Sequence, residues 1–340
     1  MKKRHLKLII LLALMLSFNS VSYAETTILR YSAWLPATYF MHKNALYKYF
    51  EDIEQVTEGR VNVEISAAPL GPAPRNFQLA LSGIADITWG LHGYTPGTFP
   101  LSEMVELPFN STNAVENSAA YWKVFKKYFE PAGMHKGVHT LTVHTQPPGQ
   151  IFSAKQAITE ASNFEGLKIR STNSGVAESL ALLGAVPLGI PVTEMRDALH
   201  KGIVDGVSLT DEALYSFNID RLIKHKLEVP GGIYNASMFL VVNQNKWDQI
   251  SAADQQAITS ISGEVLARRM GQVWQDELNH AAAQLAADGI EKNVASGPLF
   301  EFIQSRLSKQ DANWVKKANA LNVDGQAALE MYHAESSRGQ

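Results

Sequence analysis

The 340-residue chain carries 30 Lys and Arg against 33 Asp and Glu, a formal charge of −3, and no cysteine. That balance argues against nucleic acid or an anionic membrane surface as a partner. The missing cysteines exclude disulfides, thiolate catalysis, Cys-ligated zinc and covalent c-type haem, and the length suffices for a disulfide-free core in one large or two ordinary domains.

The chain opens on a targeting pattern. Lys2, Lys3, Arg4 and Lys7 precede the apolar run 8–16, and Ser22 and Ala24 supply small residues for cleavage before Glu25. A spanning helix needs about 20 apolar residues, whereas Ser17, Asn19 and Ser20 interrupt this run. We expect a cleaved signal peptide over 1–24 and a secreted mature chain of 316 residues that does not itself span the membrane. Losing four basic and no acidic residues takes its formal charge from −3 to −7.

Residues 27–32 predict a strand running out to Trp34 and Pro36. Leu46, Phe50, Ile53 and Val56 recur at helical spacing with Gly59 at the end, and Val61, Val63 and Ile65 alternate as a strand. A Pro/Gly turn (Pro69, Gly71, Pro72, Pro74) leads to a short helix over 76–82 and a strand from Ile84. A helix over 112–129 and a strand over 135–145 follow, which is α/β order. The turn Gln146-Pro147-Pro148-Gly149 predicts a crossover, after which the alternation restarts. It gives a strand over 167–170, a helix over 173–183 with Asn173 as N-cap, a helix over 191–201 and a strand over 203–209. The apolar run 238–242 predicts a strand returning to the first unit. From 251 to 288 the pattern is helical. At about 1.5 Å per residue one helix of that length would exceed roughly 50 Å and brace both units, while a break at Gly263 or Gly271 would give two helices. Two further helical stretches fill 298–333.

One internal echo is present. Ala80-Leu81-Ser82-Gly83-Ile84-Ala85-Asp86 resembles Ala198-Leu199-His200-Lys201-Gly202-Ile203-Val204-Asp205, each a helix end, a Gly stop and a strand entry carrying Asp. Helix-Gly-strand is common enough for chance. One such unit per lobe would instead deliver a strand to a shared cleft. Ligands in open α/β sheets sit outside the strand carboxyl ends, which places 89–94 and 208–212 near that cleft. Trp34, Trp89, His92 and Tyr94 then either line a pocket or pack a lobe core, and Ser208 falls in the same zone. Asp211 and Glu212 follow Thr210, an apparent N-cap. They fit ordinary first-turn acids or a contact to a ligand amino group.

Several segments, in order, carry a likeness. They are Thr57-Glu58-Gly59-Arg60-Val61, Gly71-Pro72, Leu81-Ser82-Gly83-Ile84-Ala85-Asp86, Glu106-Leu107-Pro108-Phe109, Phe164-Glu165-Gly166-Leu167-Lys168-Ile169-Arg170, Leu183-Gly184-Ala185, Pro187, Pro191-Val192 and Gly202-Ile203-Val204-Asp205-Gly206. Over essentially the whole mature chain the sequence resembles the DctP-type solute receptors of tripartite ATP-independent periplasmic (TRAP) transporters. The resemblance implies an α/β, two-lobed periplasmic solute-binding protein with a long helix spanning both lobes. It implies closure around a small organic acid and delivery to a TRAP permease driven by an ion gradient. We divide the chain into lobe I over 25–147, with 236–262 returning to it, and lobe II over 148–235, with 263–340 packing on it. A sensor presenting its closed form to a signalling partner, or a receptor for a small amine or zwitterion, are the alternatives.

The resemblance implies that Arg170 clamps the ligand carboxylate. The chemistry stands independently: a guanidinium presents a planar fork to both carboxylate oxygens, and the helix opening at Thr172-Asn173 adds N–H groups suited to an anion. A surface Arg in an ion pair is the bland reading. The sequence departs from the family where many sugar-acid receptors carry a second arginine, here Gln150, and an Asn, here Leu209. Gln150 fits either a hydrogen bond to a neutral ligand oxygen or a plain strand residue. The segment 205–214 lacks the Trp of the calcium and ketoacid variant, and His135, His139 and His144 have Gly133 and Gly137 among them and no accompanying Glu motif. No metal or cofactor is expected. No GxSxG, HExxH, SxxK, Walker or Rossmann fingerprint recommends an enzyme.

Overall fold

The computed structural model describes residues 26–110 and 113–338; the expected signal peptide lies outside them. The chain first gives β1 (Thr27–Ser32), β2 (Val61–Ile65), β3 (Ile87–Leu91) and β4 (Val138–Thr145). It then crosses over and gives β5 (Gln150–Ser153), β6 (Lys168–Ser171), β7 (Val186–Gly189), β8 (Gly206–Leu209) and β9 (His225–Glu228). It returns for β10 (Ser237–Asn243) and ends its strands with β11 (Glu291–Val294). Two sheets result, in the orders β2-β1-β3-β10-β4 and β11-β9-β5-β8-β6-β7.

The sheets are built alike. Each opens with three parallel strands, β2-β1-β3 and β7-β6-β8. Each continues with an antiparallel strand contributed from across the crossover, β10 in the first and β5 in the second. The sequence echo is part of this likeness. Asp86 N donates to Arg30 O at 2.9 Å, and its carboxylate accepts from Arg30 N at 2.8 Å. Asp205 repeats both bonds with Lys168, at 2.7 and 3.0 Å. In each lobe an Asp thus ties the entry of one strand to its parallel neighbour.

β3 and β10 are buried at every position, and β10 accordingly reads as an unbroken apolar run over 238–242 instead of an alternation. The strands expected from 84, 135 and 203 each begin three residues later, at Ile87, Val138 and Gly206. The intervening backbone is spent on turns: Ala85 N donates to Leu79 O at 3.1 Å, Val138 N to His135 O at 3.2 Å and Ile203 N to Ala198 O at 2.9 Å. The expected helix 112–129 is α-helical over Ala114–Val124 and continues as a wider turn over Phe125–Phe129.

The helical stretch 251–288 is two helices, Ala252–Ser260 and Gly263–Ala287, so the single brace of roughly 50 Å is corrected. Gly263 sits at φ +63°, a left-handed conformation that L side chains avoid. The remaining 25-residue helix still reaches both lobes. It packs on the helix Ala114–Val124 and on β4, while Ala282, Leu285 and Ala286 at its far end face Asp211, Lys226 and Glu228. The C-terminal region holds three helices, Gly297–Leu307, Gln310–Ala320 and Gly325–Ser336, instead of two. The last packs on Ala114–Val124, so the segment 263–340 is shared between the lobes and does not sit on lobe II alone. Among the described residues no helix is long and apolar enough to cross a membrane.

The two crossing segments lie side by side. Gly149 N donates to Tyr234 O at 2.9 Å and Ile233 N to Gly149 O at 3.0 Å. A Cβ on Gly149 would lie 1.8 Å from Tyr234 Cε1, so only glycine admits this approach. Beyond this crossing the lobes meet directly. Val192 N donates to Tyr94 Oη at 3.3 Å, Asn173 Nδ2 donates to Glu106 Oε2 at 2.9 Å, and the rings of Tyr39 and Phe217 stand 6.1 Å apart. The arrangement is closed.

Candidate functional site

Residues just beyond the carboxyl ends of β1, β3, β4, β6 and β8 converge on one interlobe pocket, partly open to solvent. They include Trp34, Tyr94, Gln146, Thr172, Thr210 and Glu212, joined by Trp89 within β3, Arg170 within β6 and Trp274 from the long helix. This is where open α/β sheets place ligands.

One wall is aromatic. Trp34 and Trp89 stack with centroids 5.5 Å apart, Tyr94 meets Trp34 edge-on at 6.0 Å, and Tyr39 lies 6.3 Å from Trp89. Trp89 is fixed by its indole N–H, which donates to His144 Nε2 at 2.9 Å. Trp34 Nε1 and Trp274 Nε1 are buried without hydrogen-bond partners among the described residues.

Opposite stands Arg170, 1% exposed. Its Nε donates to Ile190 O at 2.8 Å, and Nη1 donates to Thr172 Oγ1 at 2.9 Å and Ser208 O at 3.2 Å. Thr172 Oγ1 donates onward to Tyr234 Oη at 3.1 Å, and Ser208 Oγ donates to Arg170 O at 3.0 Å. Nη2 is buried and has no partner, and no ion pair to Arg170 occurs among the described residues. A buried, uncompensated guanidinium is costly, and an anion at Nη2 would supply both countercharge and acceptor.

Glu212 also lines the pocket. Its Oε1 accepts from Thr210 Oγ1, and its Oε2 is buried and unpaired. Burial is the main cause pushing its carboxyl up to about 8, with Asp211 and Glu277 adding to it. The expected N-cap at Thr210 is corrected: its hydroxyl turns to Glu212, and the short helix Ala213–Ser216 has no side-chain cap.

Of the ten residues singled out in the sequence, Arg170, Trp34, Trp89, Tyr94 and Glu212 line the pocket. Ser208 holds Arg170 through its backbone carbonyl. Four are placed otherwise. Gln150 spends both ends of its amide on Val229, Nε2 to O at 3.3 Å and Oε1 from N at 2.8 Å. His92 bonds Ser237 Oγ at 2.7 Å and His135 Nε2 at 2.8 Å, and burial holds its ring neutral. Asn173 caps its helix through Val176 N at 2.8 Å and bonds Glu106. Asp211 pairs with Lys226 at 2.7 Å, on the far side of the strand. His135 is likewise engaged with Thr140 and His139 stacks on Trp247. Trp274, Tyr234, Gln146 and Phe217 were not singled out; buried aromatics and a turn Gln look the same in sequence whether they face a core or a ligand.

A family model described as bacterial extracellular solute-binding protein, family 7 (DctP) matches residues 31–301. The structure is similar to a TRAP periplasmic solute-binding protein from Bordetella bronchiseptica with bound (R)-mandelate and (S)-mandelate, at 31% identity and a TM-score of 0.89, covering 92% of this chain and 99% of that one. It is similar also to a TRAP solute-binding protein from Rhodoferax ferrireducens T118 in complex with copurified benzoate, at 25% identity and a TM-score of 0.85, covering 92% and 98%. Over 329 residues it is 28% identical to the outer membrane transporter protein TsaT of Comamonas testosteroni, covering 96% of each.

Proposed function

The chain belongs to family 7 of the bacterial extracellular solute-binding proteins, the DctP family, and from that footing we propose that it captures a small aryl-bearing carboxylate between its lobes and hands it to a TRAP-type permease. The observation that carries the reading is Arg170: a buried guanidinium with an unpaired Nη2 and no acidic partner, set across a pocket walled by Trp34, Trp89 and Tyr39. The fork recognises the carboxylate, and the aromatic wall covers the ring. Mandelate and benzoate, held by the two similar structures, both have this build.

Capture proceeds by hinge closure. With the lobes apart, Arg170 on lobe II presents Nη2 to the incoming carboxylate. Closure brings the lobe I aromatics over the ligand, and the Tyr94–Val192 and Asn173–Glu106 bonds seal the rim. The permease then reads the closed surface. The family and these structural neighbours are binding proteins, so the ligand leaves chemically unchanged. The targeting pattern over 1–24 supports a periplasmic site of action.

A thermal-shift series with benzoate and mandelate tests this. Ligand at 100 times its Kd adds about 2.7 kcal/mol, a rise of a few degrees for a chain of this size. The rise should vanish in Arg170→Ala. No rise with any aryl carboxylate, or an equal rise in the variant, would sink the reading.

A further inference from the structure

We infer that Glu212 is the second anchor of this site, taking a hydroxyl of the ligand, so that the receptor selects hydroxylated aryl carboxylates over the unsubstituted acid. The inference rests on the carboxylate reading above. Glu212 is 3% exposed and lines the pocket, with one carboxyl oxygen held by Thr210 and the other buried without a partner. Arg170 lines the same pocket with its own unpaired nitrogen, and the two are not within ion-pair distance. An acid and a base that share one pocket, leave each other unpaired and each keep a buried, orphaned polar atom suit a ligand with two polar ends. One end is the carboxylate at Arg170. The other end is a hydrogen-bonding group at Glu212, and Tyr234, which feels both Arg170 and Glu212, lies near the two.

A hydroxyl fits better than an ammonium. The charged groups near enough to act on Glu212 are Asp211 and Glu277, with Arg170 on the same pocket; Asp211 is already paired with Lys226. Burial and these acids keep the Glu212 carboxyl protonated at neutral pH. A protonated carboxyl donates and accepts at once, as a hydroxyl does, and offers no charge to an ammonium. Arg170 and the ligand carboxylate already balance each other.

The test is calorimetric titration of the purified protein at pH 7 with benzoate, its three hydroxy isomers, the matching amino isomers and mandelate. At least one hydroxylated acid should bind about five- to tenfold tighter than benzoate, the size of one net hydrogen bond to a buried group. Glu212→Leu should abolish that preference, so that within the variant the hydroxylated acid and benzoate bind with the same affinity to within about twofold. Glu212→Gln, which both donates and accepts, should retain it. If the Leu variant does not fold, Thr210→Val, which frees Glu212 Oε1, should weaken the preference on its own. The inference is overturned if no hydroxy isomer outbinds benzoate, if Glu212→Leu weakens benzoate and its hydroxy isomers equally, or if amino isomers bind tightest. Binding that depends on Arg170 but not on Glu212 overturns this inference alone. Absence of any aryl carboxylate binding, or binding indifferent to Arg170→Ala, overturns the carboxylate reading and this one with it.

Discussion

A guanidinium in a protein interior ordinarily brings its counterion with it; Arg170 instead brings three neutral acceptors. Ile190 O, Thr172 Oγ1 and Ser208 O fix the plane of the fork and leave one N–H edge for a guest. A lysine would keep the charge, but its ammonium cannot reach those acceptors and still present a paired edge. We expect Arg170→Lys to bind benzoate about ten- to a hundredfold more weakly, a loss of about 1.4 kcal/mol per tenfold, read by calorimetry. Equal affinity would mean that a point charge suffices. Arg170 was legible in the sequence because a strand end, a helix start and a family motif coincide on it. Trp274 and Tyr234 were not, because what makes them pocket residues is the approach of segments distant in sequence. Asp211 and Glu212 show the limit of reading neighbours together: adjacent on the chain, they face opposite sides, one to Lys226 and one to the pocket.

At the scale of elements, the helix Ser174–Leu182 matters through its cap. Asn173 does two jobs, accepting from Val176 N for the helix and donating to Glu106 across the cleft. Aspartate caps as well as asparagine but cannot donate. Asn173→Asp should therefore leave the ligand-free melting temperature nearly unchanged and weaken ligand binding about tenfold, one lost hydrogen bond to a buried group. A matched loss of both would assign the residue to the helix alone. Glu106 itself is pushed up to about 8 by burial, against the lowering effect of Ser237 N. The folded protein keeps a proton there that the unfolded chain releases near 4.3, so its contribution is full at acid pH and is lost as pH rises towards 8; Glu212 behaves likewise. The buried histidines have the opposite sign. His135 and His144 are lowered to about 3 by burial, so stability falls as pH drops below their unfolded value of about 6.5. Burial lowers His92 and His139 as well, so four histidines outweigh the two Glu below pH 6.5, and stability should peak near pH 6.5 and decline by roughly 1–2 kcal/mol per buried Glu towards pH 8. Glu106→Gln should flatten the alkaline limb of a melting-temperature profile and steepen the acid limb between about pH 4.3 and 6.5. The elements were unevenly legible for a related reason. β10 is buried on both faces and reads as an apolar run over 238–242, whereas β7 and β11 are edge strands with mostly exposed or half-exposed residues, and backbone pairing alone leaves no periodicity to find.

At the scale of the molecule, two crossing segments and one helix set what can move. The long helix packs on lobe I and its far end meets lobe II at Asp211, Lys226 and Glu228, and a single backbone bridge, Gly149–Tyr234, joins the two crossing segments. On the closure proposed above, rotation about that pair would open the rim bonds while leaving each sheet intact, and Tyr234 would couple it to Arg170 through Thr172. Ligand binding and closure are then one equilibrium, and a ligand shifts it only by what it gains in the closed form. A compact chain of the mature length has a radius of gyration of about 20 Å. In small-angle scattering the protein saturated with an aryl carboxylate should sit near that value, and the ligand-free protein should be measurably larger. Gly149→Ala places a Cβ against the Tyr234 ring, so the crossover must splay. That variant should stay folded, remain at the larger radius when ligand is added, and lose affinity together with compaction. Should it compact normally and bind normally, the hinge lies elsewhere. Should wild type show one radius with and without ligand, the closed arrangement is the resting state and capture does not proceed by closure.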